Sequence, residues 1–345
     1  MSGKKILVTG GTGYIGSHTV VELINSGYQP VIVDNLSNSS SKILKQIETI
    51  TGTSPDFYNF DLCDEQGIRN LLKTHSDIAG IIHFAAFKSV GESVGHPLKY
   101  YRNNIYSLIN VLEAFTSHKI NFVFSSSCTV YGEPDTLPVT ENSPVKHAES
   151  PYGNTKQIAE NILFDAANAN ENLKVTALRY FNPVGAHSSA LIGELPIGIP
   201  QNLVPFITQS AIGKRGKITV YGDDYDTPDG SCIRDYIHVV DLAKAHIAAL
   251  KNMDKTGEDA SYEVYNIGTG KGNSVLEIIK AFESSTGVKL DYAIGARRNG
   301  DIEKIFGDVS KAERDLGWKA ELGISEMMSS AWAWENYIKQ NPISA

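Results

Sequence analysis

The chain has 345 residues, of which 41% are hydrophobic and 20% are charged, a composition typical of a soluble globular protein with one large or two ordinary domains. A formal net charge of −8, with no long basic run, argues against nucleic acid as a partner. No apolar run approaches the roughly 20 residues of a membrane span, no secretory leader precedes the first strand, and the three scattered cysteines predict neither disulfides nor a metal site. We therefore expect a cytoplasmic protein that binds neither membrane nor metal.

The first predicted unit is a strand, a glycine turn, a helix and a second strand. Residues 5–9 form a short apolar strand, and residues 17–24 have the apolar spacing of a helix. Between them, Gly10, Gly13 and Gly16 are spaced one residue wider than the commonest dinucleotide fingerprint. These glycines allow the backbone to approach a pyrophosphate, and Asp34, after the second strand, can accept from an adenosine ribose diol and repel a 2′-phosphate. The unit predicts NAD binding; a plain structural turn is the alternative.

Two further predicted strands bring polar residues to the same edge of the sheet. Residues 57–62 form the third strand, in which Asp61 either accepts from the adenine amino group, caps the helix from residue 65, or does both. Residues 80–86 form the fourth strand, which ends in small residues that leave room for a cofactor. His83 lies in its apolar run and is expected to be a core histidine. Lys88, just beyond the strand, either reaches the cofactor or stays in solvent.

The fifth predicted strand leads into a run of serines. A long helix is predicted over residues 97–115, and the strand follows at residues 121–124. Ser125, Ser126 and Ser127 then lie at the carboxyl end of the strand, where ligands bind in doubly wound sheets. Ser127 is placed to hydrogen-bond a reacting hydroxyl, although serines also form ordinary turns. Residues 133–150 are predicted to be a surface loop.

Tyr152 and Lys156 are the candidate catalytic pair. They stand four residues apart, so on a helix they share a face one turn apart. A tyrosine hydroxyl normally titrates near ~10, and a neighbouring ammonium is expected to lower this pKa and so make a base of the phenol. The pair alone is weak evidence, because exposed Tyr-Lys pairs are common; its position after the dinucleotide unit strengthens it.

The amino-acid composition of the chain changes after the sixth predicted strand, residues 174–180. Glycine and proline become frequent between residues 193 and 205. We therefore predict an α/β fold with a doubly wound parallel sheet over residues 1–180 and a smaller α/β substrate domain over residues 181–345, of which residues 236–267 return to the sheet. Arg234 and Arg298 either grip phosphates or form surface ion pairs with Asp235 and Asp301.

These residues together resemble the extended short-chain dehydrogenase/reductase family, and within it the family of UDP-galactose 4-epimerases. The resemblance runs from about residue 5 to residue 334. Its motifs are Val-Thr-Gly-Gly-Thr-Gly-Tyr-Ile-Gly-Ser-His from Val8, Ser-Pro-Tyr-Gly-Asn-Thr-Lys from Ser150, Arg-Tyr-Phe-Asn-Pro-Val-Gly-Ala-His from Arg179, and Arg-Asp-Tyr-Ile-His-Val from Arg234. It implies reversible inversion of C4 of UDP-glucose and UDP-galactose through a 4-keto sugar, with retained NAD, by a homodimer paired through helices that include residues 97–115 and 155–169.

The resemblance also assigns residue roles. Tyr152 would be the base, with Ser127 assisting and Lys156 tuning it. The cofactor would be lined by Gly10, Gly13, Tyr14, Ile15, Gly16, Asp34, Asn35, Asp61, Leu62, Phe84, Ala85, Lys88, Asn103, Ser125, Tyr152, Lys156 and Tyr180. The UDP-sugar would be held by Ser127, Tyr152, Asn182, Asn202, Leu203, Thr219, Tyr221, Arg234, Arg298, Asp301 and Ile305. Gln201 stands where many relatives have asparagine, and its amide is expected to serve similarly.

Other readings of the sequence stay open. Ile305 occupies a position that is a bulky tyrosine in some relatives and small in others, so acceptance of N-acetylated UDP-sugars is undecided. A UDP-glucuronate epimerase is a rival. Nucleotide-sugar 4,6-dehydratases have Asp-Glu after the residue that matches Ser127, whereas this chain has Cys128-Thr129, which disfavours elimination of water. A redox-sensing binding protein without turnover need not keep Tyr152, Lys156 and Ser127 together.

Overall fold

The protein is described by a computed structural model over residues 3–255, 261–298 and 301–343. The strands are β1 (Lys5–Thr9), β2 (Gln29–Val33), β3 (Asp56–Tyr58), β4 (Ile78–His83), β5 (Ile120–Ser125), β6 (Leu173–Tyr180), β7 (Asn182–Val184), β8 (Ile218–Tyr221), β9 (Ile233–His238), β10 (Tyr262–Ile267), β11 (Gly272–Ser274), β12 (Tyr292–Gly295) and β13 (Lys304–Ile305). The helices are α1 (Tyr14–Asn25), α2 (Lys42–Thr51), α3 (Glu65–Thr74), α4 (Val90–Gly95), α5 (Pro97–Ala114), α6 (Pro151–Ala169), α7 (Leu203–Ala211), α8 (Val239–Lys255), α9 (Val275–Thr286), α10 (Ser310–Leu316) and α11 (Ile324–Gln340).

The main layer is a seven-stranded sheet in the order β10-β6-β5-β4-β1-β2-β3, with every pairing parallel. Its central strands are apolar runs because helices cover both faces; Leu7, Ile32, Ile82 and Phe122 are fully buried. On one face α1 packs against α8, and on the other α5 packs against α6. The predicted doubly wound parallel sheet is confirmed.

The order of the strands places the ligand crevice. Strand β1 lies between β4 and β2, so the chain leaves β1 in one direction to form β2 and β3 and crosses to the other side to form β4 and β5. Ligands bind at such a switch point, outside the carboxyl ends of the strands. The glycine turn after β1, the loop after β4 and the serines after β5 all lie at this edge.

The strands outside the main sheet form a smaller layer with helices α7, α9 and α11, beside the carboxyl edge. Strands β11, β9 and β13 pair in that order, β7 pairs with β9, and β8 pairs with β12. Helices α7, α9 and α11 close a separate apolar core that includes Ile207, Phe282 and Met328. Strand β10 joins the main sheet through β6, so the chain returns to that sheet after crossing the smaller layer. Across the residues described, no helix combines the length and apolar character needed to cross a bilayer.

Several predicted boundaries are wrong for identifiable reasons. The third strand stops at Tyr58, so Asp61 lies in the following turn, and Asp64 caps α3 by accepting from the Gln66 amide. The fourth strand stops at His83, because the Ala85 amide donates to the Thr9 hydroxyl, outside the ladder. The long helix ends at Ala114, one residue earlier than predicted, and α4 precedes it.

The predicted surface loop over residues 133–150 is partly buried. Val139 is fully buried, and it bridges to Gly307 in the smaller layer. Its amide donates to the Phe306 carbonyl, and its carbonyl accepts from Asp308. The loop therefore fastens the smaller layer to the sheet, which its Pro, Glu and Ser content does not indicate.

Candidate active site

Helix α6 places Tyr152 and Lys156 at the carboxyl edge of the sheet. Ser150 is its N-cap, and the Ser150 hydroxyl accepts from the Gly153 amide at 3.1 Å. Pro151 occupies the first turn, where its missing N–H costs nothing. The helix therefore starts at a fixed residue, and the two candidate side chains lie on its buried face, with 8% of Tyr152 and 4% of Lys156 exposed.

The Lys156 ammonium is held between β5 and the tyrosine. Its Nζ donates to the Ser125 carbonyl at 2.7 Å and lies 4.8 Å from the centroid of the Phe124 ring. It lies 6.0 Å from the centroid of the Tyr152 ring. Burial lowers the pKa of Lys156 to about 8, and the charge of Glu160 opposes this effect. The ammonium thus remains cationic at neutral pH despite its burial.

The pKa of Tyr152 moves in the direction opposite to the sequence expectation. Burial, and after it the neighbouring Tyr180, raises the pKa of the phenol well above its ordinary value, while a hydrogen bond with Ser127 opposes the rise. Loss of water around the phenolate is the largest of these effects. The Ser127 oxygen accepts from the Thr129 amide at 3.2 Å, which leaves its own proton for the phenol.

A buried ion pair between Glu160 and Arg179, which the sequence analysis missed, links helix α6 to strand β6. Glu160, two turns after Tyr152, accepts from Arg179 Nη2 at 2.6 Å and from Arg179 Nε at 3.0 Å. It also accepts from the Ser126 hydroxyl at 2.5 Å, and Arg179 donates to Tyr131 at 3.1 Å. The available signal was the position of Glu160 on the same helical face as Tyr152 and Lys156.

The glycine turn fits a dinucleotide. A Cβ on Gly16 would lie 2.2 Å from the Gly10 carbonyl oxygen, and Gly10 has a φ of +70° and lies against Ala85. Gly13, the N-cap of α1, offers no capping side chain, so the first amides of the helix have no side-chain acceptor. Tyr14 and Ile15 form the first turn, whose N–H groups and dipole suit a pyrophosphate. A Cβ on Gly13 would likewise lie 3.1 Å from the Gly10 carbonyl oxygen, so the turn is tight at all three glycines.

The side chains expected at the adenosine end meet beyond β2 and β3. Asp34 accepts from the Thr12 amide at 3.1 Å and the Leu36 amide at 2.9 Å, so it faces the glycine turn. Asn35 donates to Asp61 at 3.0 Å, and Leu62 is buried beside them. A carboxylate has about four acceptor sites, so Asp34 keeps capacity for a ribose hydroxyl.

Other candidate cofactor residues lie at the ends of β4, β5 and β6 and on α5. Ser125 donates to the Tyr180 hydroxyl at 3.1 Å, and Asn103 donates to Asn104 at 3.0 Å. Phe84 packs on His246, with ring centroids 4.7 Å apart. Lys88 Nζ lies 5.9 Å from the Tyr14 ring centroid and pairs with Glu194 at 3.0 Å, so it is neither free nor simply solvated.

The smaller layer brings three of the predicted substrate residues into one cluster. Arg298 pairs with Asp301 at 2.6 Å, as the ion-pair alternative predicted, and its guanidinium carbon lies 5.5 Å from the Tyr221 ring centroid. Arg234 instead donates to the Ile233 carbonyl at 2.9 Å. Asp235 does not pair with Arg234 in the residues described; it accepts from the Thr269 and Gly270 amides.

The other predicted substrate residues are more widely spread. Asn182 opens β7, and Thr219 lies exposed on β8. Asn202 and Leu203 are at the start of α7, and the Asn202 amide donates to Glu194 at 3.0 Å. The Gln201 amide makes one long hydrogen bond of 3.4 Å to the Ile199 carbonyl.

Ile305 forms part of an apolar wall near the serines. It is 3% exposed and pairs across β13 and β9 with Arg234. It belongs to a cluster whose other buried members are Cys128, Val130, Tyr131, Val139 and Phe181. Thr129 Oγ1 is buried and has no hydrogen-bond partner among the residues described. Among all the residues that the structure describes, no group of three His, Cys, Asp or Glu side chains could hold a metal ion.

Comparison with known proteins agrees with this geometry. A family model described as GDP-mannose 4,6 dehydratase matches residues 7–331. A UDP-glucose 4-epimerase of Bacillus subtilis is 50% identical over 333 residues, 96% of each chain. The crystal structure of UDP-glucose 4-epimerase from Bifidobacterium longum, in complex with NAD+ and UDP, has a TM-score of 0.91 at 48% identity and covers 98% of this chain and 99% of its own.

A second solved structure is equally similar along the whole chain. UDP-glucose-4-epimerase from Stenotrophomonas maltophila, with bound NAD and formylated UDP-arabinopyranose, has a TM-score of 0.94 at 46% identity and covers 98% of this chain and 99% of its own. Identity near one half over almost the full length exceeds what a shared fold alone requires. The chain therefore belongs to the UDP-glucose 4-epimerase family.

Proposed function

We propose that this protein interconverts UDP-glucose and UDP-galactose by inverting C4 of the hexose through a 4-keto intermediate. The observation that carries the proposal is the set of Tyr152, Ser127 and Lys156 beside the glycine turn, at the carboxyl edge of the sheet. Phenol, hydroxyl and ammonium are the groups needed to move a proton on a sugar hydroxyl. The relatives named UDP-glucose 4-epimerase, and the NAD bound in the two solved structures, support the same reaction.

Each of these three side chains has a separate role. Tyr152 takes the proton of the 4-hydroxyl and later returns it, and because burial raises the pKa of its phenol, it needs neighbouring groups that favour the phenolate. The Ser127 hydrogen bond and the Lys156 charge are the groups that favour the phenolate. NAD, when bound, supplies a reversible hydride acceptor, so the hydride that leaves C4 can return to the opposite face without net redox change.

The chain holds its ligands unevenly, which suits the reaction. We assign the nucleotide to Asn182, Asn202, Leu203, Thr219, Tyr221, Arg234, Arg298 and Asp301, where arginines can bind diphosphate bidentately. The hexose is assigned to the apolar wall around Ile305, Cys128 and Phe181, which offers few directional bonds. A keto sugar can therefore turn about its link to a firmly held diphosphate.

We assign the cofactor to residues that line the carboxyl edge. The pyrophosphate is assigned to the amides of the glycine turn, and the adenosine ribose to Asp34. The remaining members are Asn35, Asp61, Leu62, Phe84, Ala85, Lys88, Asn103, Ser125, Tyr152, Lys156 and Tyr180. NAD should stay bound throughout the cycle, since its release in reduced form would leave an unreduced keto sugar.

The direct test is incubation of the purified protein with UDP-galactose and no added NAD. We expect UDP-glucose to form with no net NADH, which would demonstrate epimerisation and retained cofactor together. A reaction that needs added NAD would keep the chemistry and refute tight retention. An untouched sugar under both conditions would refute the proposed function, and UDP-glucuronate would be tested next.

UDP-N-acetylhexosamines are a second candidate substrate class, favoured by the size of Ile305. Isoleucine is smaller than tyrosine and its χ1 is stiff, so a tyrosine in its place would take up more of the space beside the hexose. We expect Ile305→Tyr to suppress activity on UDP-N-acetylglucosamine while activity on UDP-galactose persists. Equal loss or equal retention for both substrates would contradict a gating role.

We further propose that the protein is a cytoplasmic homodimer. Exposed apolar side chains lie on α4, α5 and α6, where Leu98 is 81%, Val94 is 63% and Phe164 is 50% exposed. The three helices pack on one another, and exposed apolar side chains on neighbouring helices suit a two-fold interface between identical copies. The three free cysteines fit a reducing compartment. Sedimentation equilibrium should give twice the chain mass, and Leu98→Asp should shift it towards the monomer.

A further inference from the structure

Glu194 joins two parts of the site that the proposed function assigns to different ligands. Its Oε1 accepts from Lys88 Nζ at 3.0 Å and from the Asn202 amide at 3.0 Å. Lys88 follows β4 on the cofactor side, and Asn202 precedes α7 on the nucleotide side. A single carboxylate oxygen therefore bonds one candidate cofactor residue and one candidate substrate residue.

The Glu194 carboxylate is held in place because the backbone at residues 193 and 194 is fixed by its neighbours. The Glu194 carbonyl accepts from the Trp334 indole at 2.7 Å. The preceding Gly193 lies so close to that ring that a Cβ would come within 2.4 Å of it. Ala186 bridges to Gly193 and closes the loop. The Glu194 side chain is 10% exposed, whereas Lys88 is 49% exposed, so the acid is the anchored member of the pair.

Both partners keep donors for a ligand while Glu194 holds them. An ammonium has three N–H donors, and a side-chain amide has two donors and an acceptor oxygen. Lys88 also lies 5.9 Å from the ring centroid of Tyr14, in the first turn of α1. Asn202 makes no side-chain cap to α7 although it is the N-cap residue. Its amide is turned to Glu194 instead, which fixes it at the edge of the crevice.

We propose that Glu194 is a positioning residue that couples NAD binding to UDP-sugar binding by holding Lys88 and Asn202 on one carboxylate oxygen. The inference rests on the proposed function, because that function takes Lys88 to the cofactor and Asn202 to the nucleotide sugar. An ordered Lys88 holds the Glu194 carboxylate in place, and Glu194 in turn orders Asn202. The protein then binds UDP-sugar best when the cofactor side is complete.

A double-mutant cycle on the holoenzyme tests this coupling. Lys88→Met, Asn202→Ala and the double variant are compared by calorimetric affinity for UDP, first in the native background and then with Glu194→Gln. In the native background we expect the joint effect of the two substitutions to differ from the product of their single effects by roughly fivefold. With Glu194→Gln we expect the effects to multiply independently.

Further readouts separate positioning from general support. Glu194→Gln should raise KM for UDP-galactose by a larger factor than it lowers kcat, and should reduce the NAD retained after gel filtration. The matched control is Glu48→Gln, which removes an exposed ion pair of 2.9 Å with Lys45 and should leave KM, kcat and retained NAD unchanged. Independent effects in the native background, or coupling that survives Glu194→Gln, would overturn the proposal.

The cycle also distinguishes this proposal from the proposed function. Affinity for UDP and retention of NAD need no turnover. If the protein shows the coupling but does not convert UDP-galactose, only the proposed epimerase function is contradicted. If the protein epimerises UDP-galactose but shows no coupling, only the proposed role of Glu194 is contradicted.

Discussion

Replacing Arg179 by methionine should destabilise the protein strongly, because it leaves the buried carboxylate of Glu160 without its cationic partner. Glu160 and Arg179 are each 6% exposed. Burial alone lowers the pKa of Arg179, but the hydrogen bond and charge of Glu160 outweigh it and hold that pKa above its ordinary value. The two side chains therefore depend on each other for charge compensation, and removal of one leaves the other without it.

The contacts set the size of the effect. After Arg179→Met, Glu160 Oε2 loses the 2.6 Å and 3.2 Å hydrogen bonds, whereas Oε1 keeps the Ser126 hydroxyl at 2.5 Å. Breaking a buried pair by removing one partner costs about 3–5 kcal/mol. Because one donor remains, we expect a loss of roughly 3–4 kcal/mol in the free energy of unfolding. That is a large share of the ~5–15 kcal/mol typical of folded proteins.

Urea unfolding at neutral pH measures this loss directly. The control is Arg314→Met, which removes an exposed pair with Asp315 at 2.7 Å and should leave the free energy of unfolding almost unchanged. The double variant Glu160→Gln/Arg179→Met should regain at least half of the loss, since no buried charge is left unpaired. A loss below ~1 kcal/mol for Arg179→Met, or no recovery in the double variant, would refute this reasoning.

Three more outcomes follow from the site. Tyr152→Phe should lower kcat roughly 10²–10⁴-fold and leave retained NAD unchanged by absorbance; full turnover would remove the tyrosine from the mechanism. Gly16→Ala should abolish NAD retention, since its Cβ would lie 2.2 Å from the Gly10 carbonyl oxygen; normal retention would argue against the pyrophosphate assignment. Burial lowers the pKa of Lys156 from 10.5 to about 8, so the unfolded chain holds more protons between these values and the lysine's contribution to stability rises with pH there. Urea unfolding should therefore show Lys156→Met more stable than the native protein by up to ~3 kcal/mol at pH 7, with the gap closing near pH 10; a constant gap would contradict this.

The sequence predicted those parts of the site that depend on local chemistry. The glycine turn follows from the close approach of Gly16 to Gly10, which lie six residues apart. The shared face of Tyr152 and Lys156 follows from helical spacing and from the cap at Ser150. The parallel sheet follows from short apolar runs that alternate with helices. Such features involve neighbours along the chain, so residue type and spacing suffice to predict them.

Tertiary structure alone decided the electrostatics and the long-range links. The sequence places Lys156 beside Tyr152, but only packing by distant segments excludes water from both side chains. This burial raises the pKa of Tyr152 and lowers the pKa of Lys156. The bonds of Glu194 to Lys88, and of Val139 to Phe306, join segments more than one hundred residues apart. No local pattern encodes such contacts, because they depend on which surfaces meet when the smaller layer folds back over the sheet.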